Sequence, residues 1–427
     1  MINRRAFLGL AGGALAASGL SLAGCGTGTQ TSPSGTIRFA WWGNDVRHGL
    51  TDKAVDLFLK DNPDIKVSTQ PGDWGGYWDK LAVAVAGGDA PDLMQQCDPY
   101  IAEYAQRGAL ADLSKVKGLD LTPFSKQAMS SSTIDGAVYG VPNGMSAPAF
   151  WVNPAALKEA GVELPDTDTW SWDDYARVCE EITKKSGGKI KGSAQLTFDE
   201  QSFTIFARQR GENLFTDKGI GFTKDTLVEW WEYILDLQSA KVALTVQESV
   251  EAVGRSIEES ALVTGRVAFS FGWTNQLSQA QTAGKVELQL IQPPGETSSP
   301  QRGMYIKASQ HYSIAAKSSN TEEAAKLLDF LVNDPAAGAI LLTDRGIPAN
   351  PKVLDSVRGT FQDGDTKAAD YITKVENLAQ STLPIPPVGA SAIVTAFPRF
   401  SQDVLFKRKS PTDAADAFIA EMKSSIK

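Results

Sequence analysis

Apolar and polar positions change period repeatedly along this chain, and each change marks an element. Thr36–Trp41 (TIRFAW) reads as a short apolar strand. Gly43-Asn44-Asp45 follows it, then a helical stretch in which Ala54, Val55, Phe58 and Leu59 share one face. Asn62-Pro63-Asp64 stops that helix, and Ile65–Thr69 alternates as a second strand. Trp78–Val85 has helical spacing, Ala90-Pro91 breaks it, Asp92–Gln96 forms a third strand, and Ala102–Ala105 opens another helix. Strands alternating with helices in this way predict an α/β lobe with a largely parallel sheet.

A second block begins near Gly140. Phe150–Val152 is a strand, Pro154–Ala160 a helix ended by Gly161, and Ser171–Lys184 a longer helix. Ser171 stands at the N-cap with Asp173 and Asp174 in the first turn, where the helix dipole favours negative charge. Thr226–Ser239 is a helix carrying Trp230 and Trp231, of which one is expected in the core and the other at the surface. Val267–Gly272 is a buried strand, Tyr312–Ala316 another, and Glu322–Leu331 an amphipathic helix ending at Asp334-Pro335. Thr382–Gly389 is a proline-rich loop, followed by two final helices. No fixed-period repeat is present.

The first residues follow a different logic. Asn3-Arg4-Arg5-Ala6-Phe7-Leu8 leads into a short Gly/Ala-rich apolar run that ends at Ala23-Gly24-Cys25, and no acid occurs before Asp45. Cations, a short apolar core and small residues before a cleavage point are the parts of an export signal. The paired arginines resemble a twin-arginine signal, although a general secretory signal can carry them too. Leu22-Ala23-Gly24-Cys25 looks like a bacterial lipobox, which predicts removal of residues 1–24 and lipidation of Cys25. A signal anchor with an incidental cysteine is the alternative. Residues 25–35 are rich in Gly, Ser and Thr and read as a flexible tether. No later run reaches the ~18 apolar residues of a spanning helix. The expected location is outside the cytoplasm, on the membrane by lipid at one end.

Composition narrows the chemistry. The formal charge is −9, without the basic face that a nucleic-acid partner requires. Three cysteines cannot build a disulfide scaffold, and two histidines leave little for a metal site or a His-based triad. The strings G-x-S-x-G, H-E-x-x-H, G-x-G-x-x-G and the P-loop are missing. No cofactor or metal is expected.

An ordered set of strings carries a resemblance. Gly87-Gly88-Asp89-Ala90-Pro91-Asp92-Leu93, Asp98 and Tyr104-Ala105-Gln106-Arg107-Gly108 come first. Tyr139-Gly140-Val141-Pro142, Asn153, Gly265-Arg266-Val267-Ala268-Phe269, Glu322-Glu323-Ala324-Ala325 and Gly346-Ile347-Pro348 follow. Together they resemble the extracellular sugar-binding proteins of ABC importers, the maltose-binding-protein-like family. The resemblance implies a two-lobed periplasmic-binding-protein fold of type II, each lobe a sheet flanked by helices, joined by hinge strands. Carried over, lobe one is 36–143 plus 309–357, and lobe two is 144–308 plus 358–427. It further implies a monomer that captures a carbohydrate between its lobes, closes about a hinge near Pro142–Ser146, and delivers its cargo to ABC permease subunits.

A sugar ring needs an aromatic platform for its C–H face and planar polar groups for its hydroxyl rim. Trp42 and Asn44 follow the first strand, and Trp273 and Asn275 follow the strand that ends at Gly272. Trp74 lies in a Gly-rich loop, facing either the cleft or lobe packing. Asp98 matches a ligand-contacting acid of the family and could equally cap the next helix. Asn143 follows the hinge-like Val141-Pro142, His311 precedes a strand, and Arg345 precedes Gly346-Ile347-Pro348, a loop that faces the cleft in the family. These nine are the expected ligand contacts. Cys97 and Cys179 are expected as buried free thiols in different lobes.

Two other functions stay open. An exported glycoside hydrolase would also have a Trp-lined cleft, with two carboxylates about 5–10 Å apart. A binder of a non-sugar solute such as a polyamine would want several acids facing aromatics, and Asp98 and Asp45 are the ones available in the strand-end positions. The ordered resemblance is to a binder, so the expectation is no enzymatic activity.

Overall fold

The first strand forms where TIRFAWW places β-branched and aromatic residues together, and its side chains are buried almost throughout. The computed structural model describes residues 35–98, 100–253, 255–379 and 381–426. The expected export signal, Cys25 and the tether up to residue 34 lie outside them. Gly35 is already tied down, its N–H donating to Asn320 Oδ1 at 3.0 Å.

The strands run in chain order β1 (Thr36–Trp42), β2 (Lys66–Gly72), β3 (Leu93–Gln96), β4 (Thr133–Ile134), β5 (Ala137–Val138), β6 (Val141–Ser146), β7 (Pro148–Val152), β8 (Lys191–Ser193), β9 (Phe215–Thr216), β10 (Gly219–Ile220), β11 (Val267–Trp273), β12 (Gln289–Ile291) and β13 (Lys307–Ile314). Two sheets organise them. The first has the order β2-β1-β3-β13-β6 and the second β12-β7-β11-β8. β4–β5 and β9–β10 are separate small hairpins.

The first sheet is parallel only where the sequence alternates strand with helix, across β2, β1 and β3. β13 runs antiparallel to β3 and to β6, which corrects the expectation of a largely parallel sheet. β13 also starts five residues earlier than Tyr312, at Lys307. Its first half is Lys-Ala-Ser-Gln-His, too polar for a hydrophobic pattern to detect, yet most of it is buried because the strand lies between two neighbours.

The two sheets carry their own cores. Ile37, Phe39, Trp41, Phe58, Tyr312 and Leu328 belong to one apolar cluster behind the first sheet. Phe150, Tyr175, Phe203, Trp230, Trp231 and Phe397 belong to the largest cluster, behind the second. Trp230 and Trp231 are both fully buried, so the expectation of one surface tryptophan fails. Their helix, Lys224–Ser239, is covered on two sides: Trp230 donates to Thr197 Oγ1 at 3.2 Å and Trp231 to Ser401 Oγ at 3.1 Å.

The chain leaves the first sheet at Ser146 and enters the second at Pro148, with Ala147 between them. The expected lobe limits at 143/144 and 308/309 therefore fall inside β6 and β13. Gly144 sits at this crossing because a Cβ there would lie 2.3 Å from the Arg345 carbonyl oxygen. Met145 and Ile347 exchange backbone hydrogen bonds of 2.7 and 3.0 Å beside it. Cys97 and Cys179 are free and buried.

Candidate functional site

Three strand ends set the first side of the site. β1 runs out at Trp42, and Gly43 N–H donates to the Gly72 carbonyl at 2.9 Å, fixing the exit of the chain. Asn44 then caps the helix Asp45–Asp61, its Oδ1 accepting from the Arg47 N–H at 3.1 Å. β2 ends at Gly72, and Asp73 caps the helix Trp74–Ala86 by accepting from Gly76 N–H, which makes Trp74 the first helical residue. Trp74 and Trp42 meet edge to face, ring centroids 5.2 Å apart, with Trp42 nearly buried and Trp74 44% exposed. β3 ends at Gln96, so Cys97 and Asp98 follow at the sheet's rim.

The second sheet supplies the rest. β11 ends at Trp273, and the turn after it is held by reciprocal bonds: Ala147 N–H to Thr274 Oγ1 and Thr274 N–H to the Ala147 carbonyl, both 3.1 Å. Gly272 gives clearance, and the Trp151 indole occupies it, 3.0 Å from where a Cβ would stand. The helix Gln201–Arg208 begins at Glu200, and Gln201 bridges Glu200 Oε1 at 2.5 Å to the Tyr305 hydroxyl at 2.7 Å.

These elements enclose a cavity of about 730 Å³. First-sheet elements line it with Trp42, Asn44, Trp74 and Asp98, and second-sheet elements with Phe198–Gln201, Trp273 and Asn275. Lys307, the first residue of β13, joins the two sides. Its Nζ stands 3.4 Å from Asp98 Oδ2 and 5.0 Å from the centre of the Trp273 ring. The other carboxylate oxygen, Asp98 Oδ1, is shielded from solvent with no hydrogen-bond partner in the protein, and so is Gln310 Oε1, on another residue lining the cavity. Two shielded acceptors on a cavity wall favour a ligand rich in O–H or N–H donors.

Burial raises the neighbouring acids. Glu200 is pushed up to about 7, first by desolvation and then by the charge of Asp199, with Lys307 pulling the other way. Asp199 is pushed up to about 6 by desolvation, although its side chain opens onto the cavity, so solvent there moderates the effect. Among the described residues no group of three or more His, Cys, Asp or Glu could hold a metal ion.

Six of the nine expected contacts therefore line one cavity: Trp42, Asn44, Trp74, Asp98, Trp273 and Asn275. The other three do not line it. His311, within β13, is fully buried, its Nε2 3.3 Å from Ser131 Oγ, and burial lowers it to about 4. Arg345 is 3% exposed, spent on Gln95 Oε1 at 3.0 Å and Thr51 Oγ1 at 2.8 Å inside the first lobe's core. Asn143 lies within β6 with both side-chain polar atoms shielded. Arg345 lies in a turn and is drawn in by its partners, whereas strand pairing turns His311 and Asn143 inward, and that pairing was not readable from β13's polar half. Lys307 escaped sequence reasoning for that same reason. Glu200 escaped because its helix starts inside a loop without apolar periodicity.

The model of the family described as "Bacterial extracellular solute-binding protein" matches residues 53–369. Among curated relatives, the arabinooligosaccharide-binding protein of Bacillus subtilis is 26% identical over 53% of this chain and 53% of its own length. A Streptomyces antibioticus protein described as an uncharacterized lipoprotein is 31% identical over 40% of this chain, so the chain spans less than two thirds of these two relatives. The diacetylchitobiose binding protein of Streptomyces coelicolor is 23% identical over 88% of this chain and 86% of its own. Two solved structures share the fold: a family 1 extracellular solute-binding protein of Alicyclobacillus acidocaldarius, and a Yersinia enterocolitica oligogalacturonide binding protein. The first has 28% identity and TM-score 0.68, covering 92% of this chain and 99% of that one. The second has 22% identity and TM-score 0.81, covering 92% and 100%. Among the described residues no helix is long and apolar enough to cross a membrane. The two-sheet fold and the match over most of the chain place this protein in the family of bacterial extracellular solute-binding proteins.

Proposed function

We propose that this protein captures a carbohydrate in the cavity between its two sheets and delivers it to the permease of an ABC importer. The observation that carries the reading is the pairing of Trp42 and Trp74 from first-sheet elements with Trp273 from the second, around the open acceptor of Asp98. Indole faces suit the C–H face of a pyranose, and a carboxylate suits its hydroxyls. The arabinooligosaccharide and diacetylchitobiose named for two relatives belong to the same chemical class. Anchoring by a lipid on Cys25, a monomeric state and closure about β6 complete the proposal. The lobes that move would be 36–143 plus 309–357 against 144–308 plus 358–427.

The acids of the cavity do not favour a polyamine. Asp98, Asp199 and Glu200 share the lining with Arg47, Arg255 and Lys307, so the wall is mixed in charge. Nor do they argue for a hydrolase: Asp98 is paired with Lys307, which suits a fixed hydrogen-bond acceptor better than a nucleophile. We therefore propose binding without turnover.

The test is calorimetric titration and thermal shift with a panel of mono- and oligosaccharides. A ligand at 100 times its dissociation constant should stabilise by about 2.7 kcal/mol. Binding of polyamines but no sugar would overturn the carbohydrate reading. Cleavage of a bound oligosaccharide that survives repurification and vanishes in Asp98→Asn or Glu200→Gln would move the function to hydrolysis.

A further inference from the structure

The main cavity has a side pocket. Past Asp98, Glu200, Gln201 and Lys307, which line both spaces, a second cavity of about 60 Å³ opens. A water needs about 10–15 Å³ of such space, so roughly four water-sized groups fit. That is too small for a sugar ring and suited to a short substituent on one. The mouth is polar, but the end is apolar: Leu214, Phe215, Leu383, Pro384, Pro386 and Ile393. The hydroxyls nearest it are engaged, Thr204 Oγ1 donating to the Glu200 carbonyl at 2.8 Å and the Tyr305 hydroxyl to Gln201 Oε1. A sugar hydroxyl sent into this end would exchange water for at most the remaining lone pairs of those two oxygens and face apolar side chains otherwise, whereas a methyl group would lose nothing.

One wall of the pocket is the proline-rich segment 381–389, and it is held at several points. The Arg208 guanidinium donates to the Ser381 carbonyl at 2.9 Å and to its Oγ at 3.0 Å. Ile385 packs against the aromatic cluster of Trp42, Tyr77 and Trp78 behind the first side of the cavity. Just beyond, Ser391 Oγ donates to Glu103 Oε2 at 2.6 Å, on the helix Tyr100–Gln106. The segment starts on second-sheet structure and docks on first-sheet structure, so the pocket is complete only when both are together.

Building on the carbohydrate reading, we propose that this side pocket sets specificity by taking a methyl-terminated substituent of the bound sugar, as in an acylamino or a deoxy sugar. The segment 381–389 forms one of its walls. Calorimetric titration with matched pairs tests this: N-acetylated chito-oligosaccharides against cello-oligosaccharides of equal length, and L-rhamnose and L-fucose against L-mannose and L-galactose, with D-fucose against D-galactose. In at least one pair the methyl-bearing member should bind about 10–200-fold more tightly, the range for one small apolar group in a fitted pocket. The pair that discriminates identifies which substituent is read. Leu214→Trp, which fills the pocket, should abolish the preference, so that the methyl-bearing sugar and its parent bind alike. Leu383→Ala, on a half-buried segment outside both cores, should reduce the preference without risk to folding. Parent sugars that bind as tightly as their partners, or a preference that both variants retain, would overturn the side pocket alone. A chain that binds none of these sugars would overturn the carbohydrate reading beneath it.

Discussion

Seven of the ten tryptophans of this chain fall into two groups that differ in what surrounds them. Trp170, Trp172, Trp230 and Trp231 lie behind the second sheet, and each indole N–H has a protein acceptor: Gln292 O, Gln209 Oε1, Thr197 Oγ1 and Ser401 Oγ, at 2.8–3.2 Å. Trp42, Trp74 and Trp78 gather beside the cavity with Tyr77 and Tyr100, and Trp78 stacks on Tyr100 with ring centroids 3.7 Å apart. There, the Trp78 N–H is shielded without a partner, and Trp74 is nearly half exposed. The first group is a finished core. In the second, the buried rings of Trp42 and Trp78 back the exposed ring of Trp74, which leaves Trp74 free to stack on something else. Position in an element does not decide this alone: Trp172 opens its helix as Trp74 does, but its ring is enclosed by Phe150, Phe206, Trp230 and Tyr233.

Substitution should separate the groups by what is lost. Trp231→Ala removes a fully buried ring and should cost about 3–5 kcal/mol of folding stability, read by denaturant titration. Its folded fraction should bind ligand as wild type does. Trp273→Ala should do the reverse, costing about 2–4 kcal/mol of binding while the unfolding midpoint moves little. Weakened binding in the first variant, or a collapsed midpoint in the second, would erase the distinction between core and platform. Asp98→Asn should reduce affinity about tenfold, near 1.4 kcal/mol, because one strong acceptor becomes a weak one. Unchanged affinity in calorimetry would confine Asp98 to its pairing with Lys307.

The smallest effect concerns pH. Glu200 has a folded-state pKa of about 7, above its unfolded value, so the folded state holds the extra proton between those values. Stability from this group rises as pH falls from about 8 toward 5 and is lost as pH rises through 7. His311, lowered to about 4, works oppositely, losing stability as pH drops from 6.5 toward 4. The wild-type melting profile mixes both. Subtracting the profile of Glu200→Gln should isolate a term that favours the wild type at acid pH. A flat difference curve between pH 5 and 8 would show that Glu200 is ionised throughout.

Sequence carried most of the fold because its elements announce themselves in two ways. The strands Thr36–Trp42 and Val267–Trp273 are dominated by apolar and aromatic residues, and helices such as Trp172–Lys185 open with a capping box, here between Ser171 and Asp174. The site was readable where a side chain follows directly from such an element, as Trp42, Asp98 and Trp273 do. It was hidden where placement depends on pairing. Lys307 belongs to the cavity because β13 pairs Lys307 with Ser146, and no local pattern records that partnership. Four residues on, where a regular strand would face the same way, shifts in the β13–β6 register between Ala308 and His311 leave His311 opposite Gln96 and away from the cavity. Arg345 was misplaced for another reason: its guanidinium is consumed by partners about 250 and 290 residues away in the chain.

The arrangement of the first sheet also sets an order of events in time. β13 stands between β3 and β6, but 160 residues of chain, including the whole strand set of the second sheet, separate it from β6. At roughly 5–20 residues per second, a ribosome would need on the order of ten to thirty seconds to supply it. During that interval Leu93 and Met94, fully buried in the finished protein, belong to a strand with an open edge, the kind of surface that pairs with other chains. The second sheet can close on itself first, since β7, β8, β11 and β12 all precede β13. The core behind the second sheet waits longer still, for Phe397, Ser401 and Phe418 near the end of the chain, so the ligand cavity forms only when both sheets and these last helices have been made.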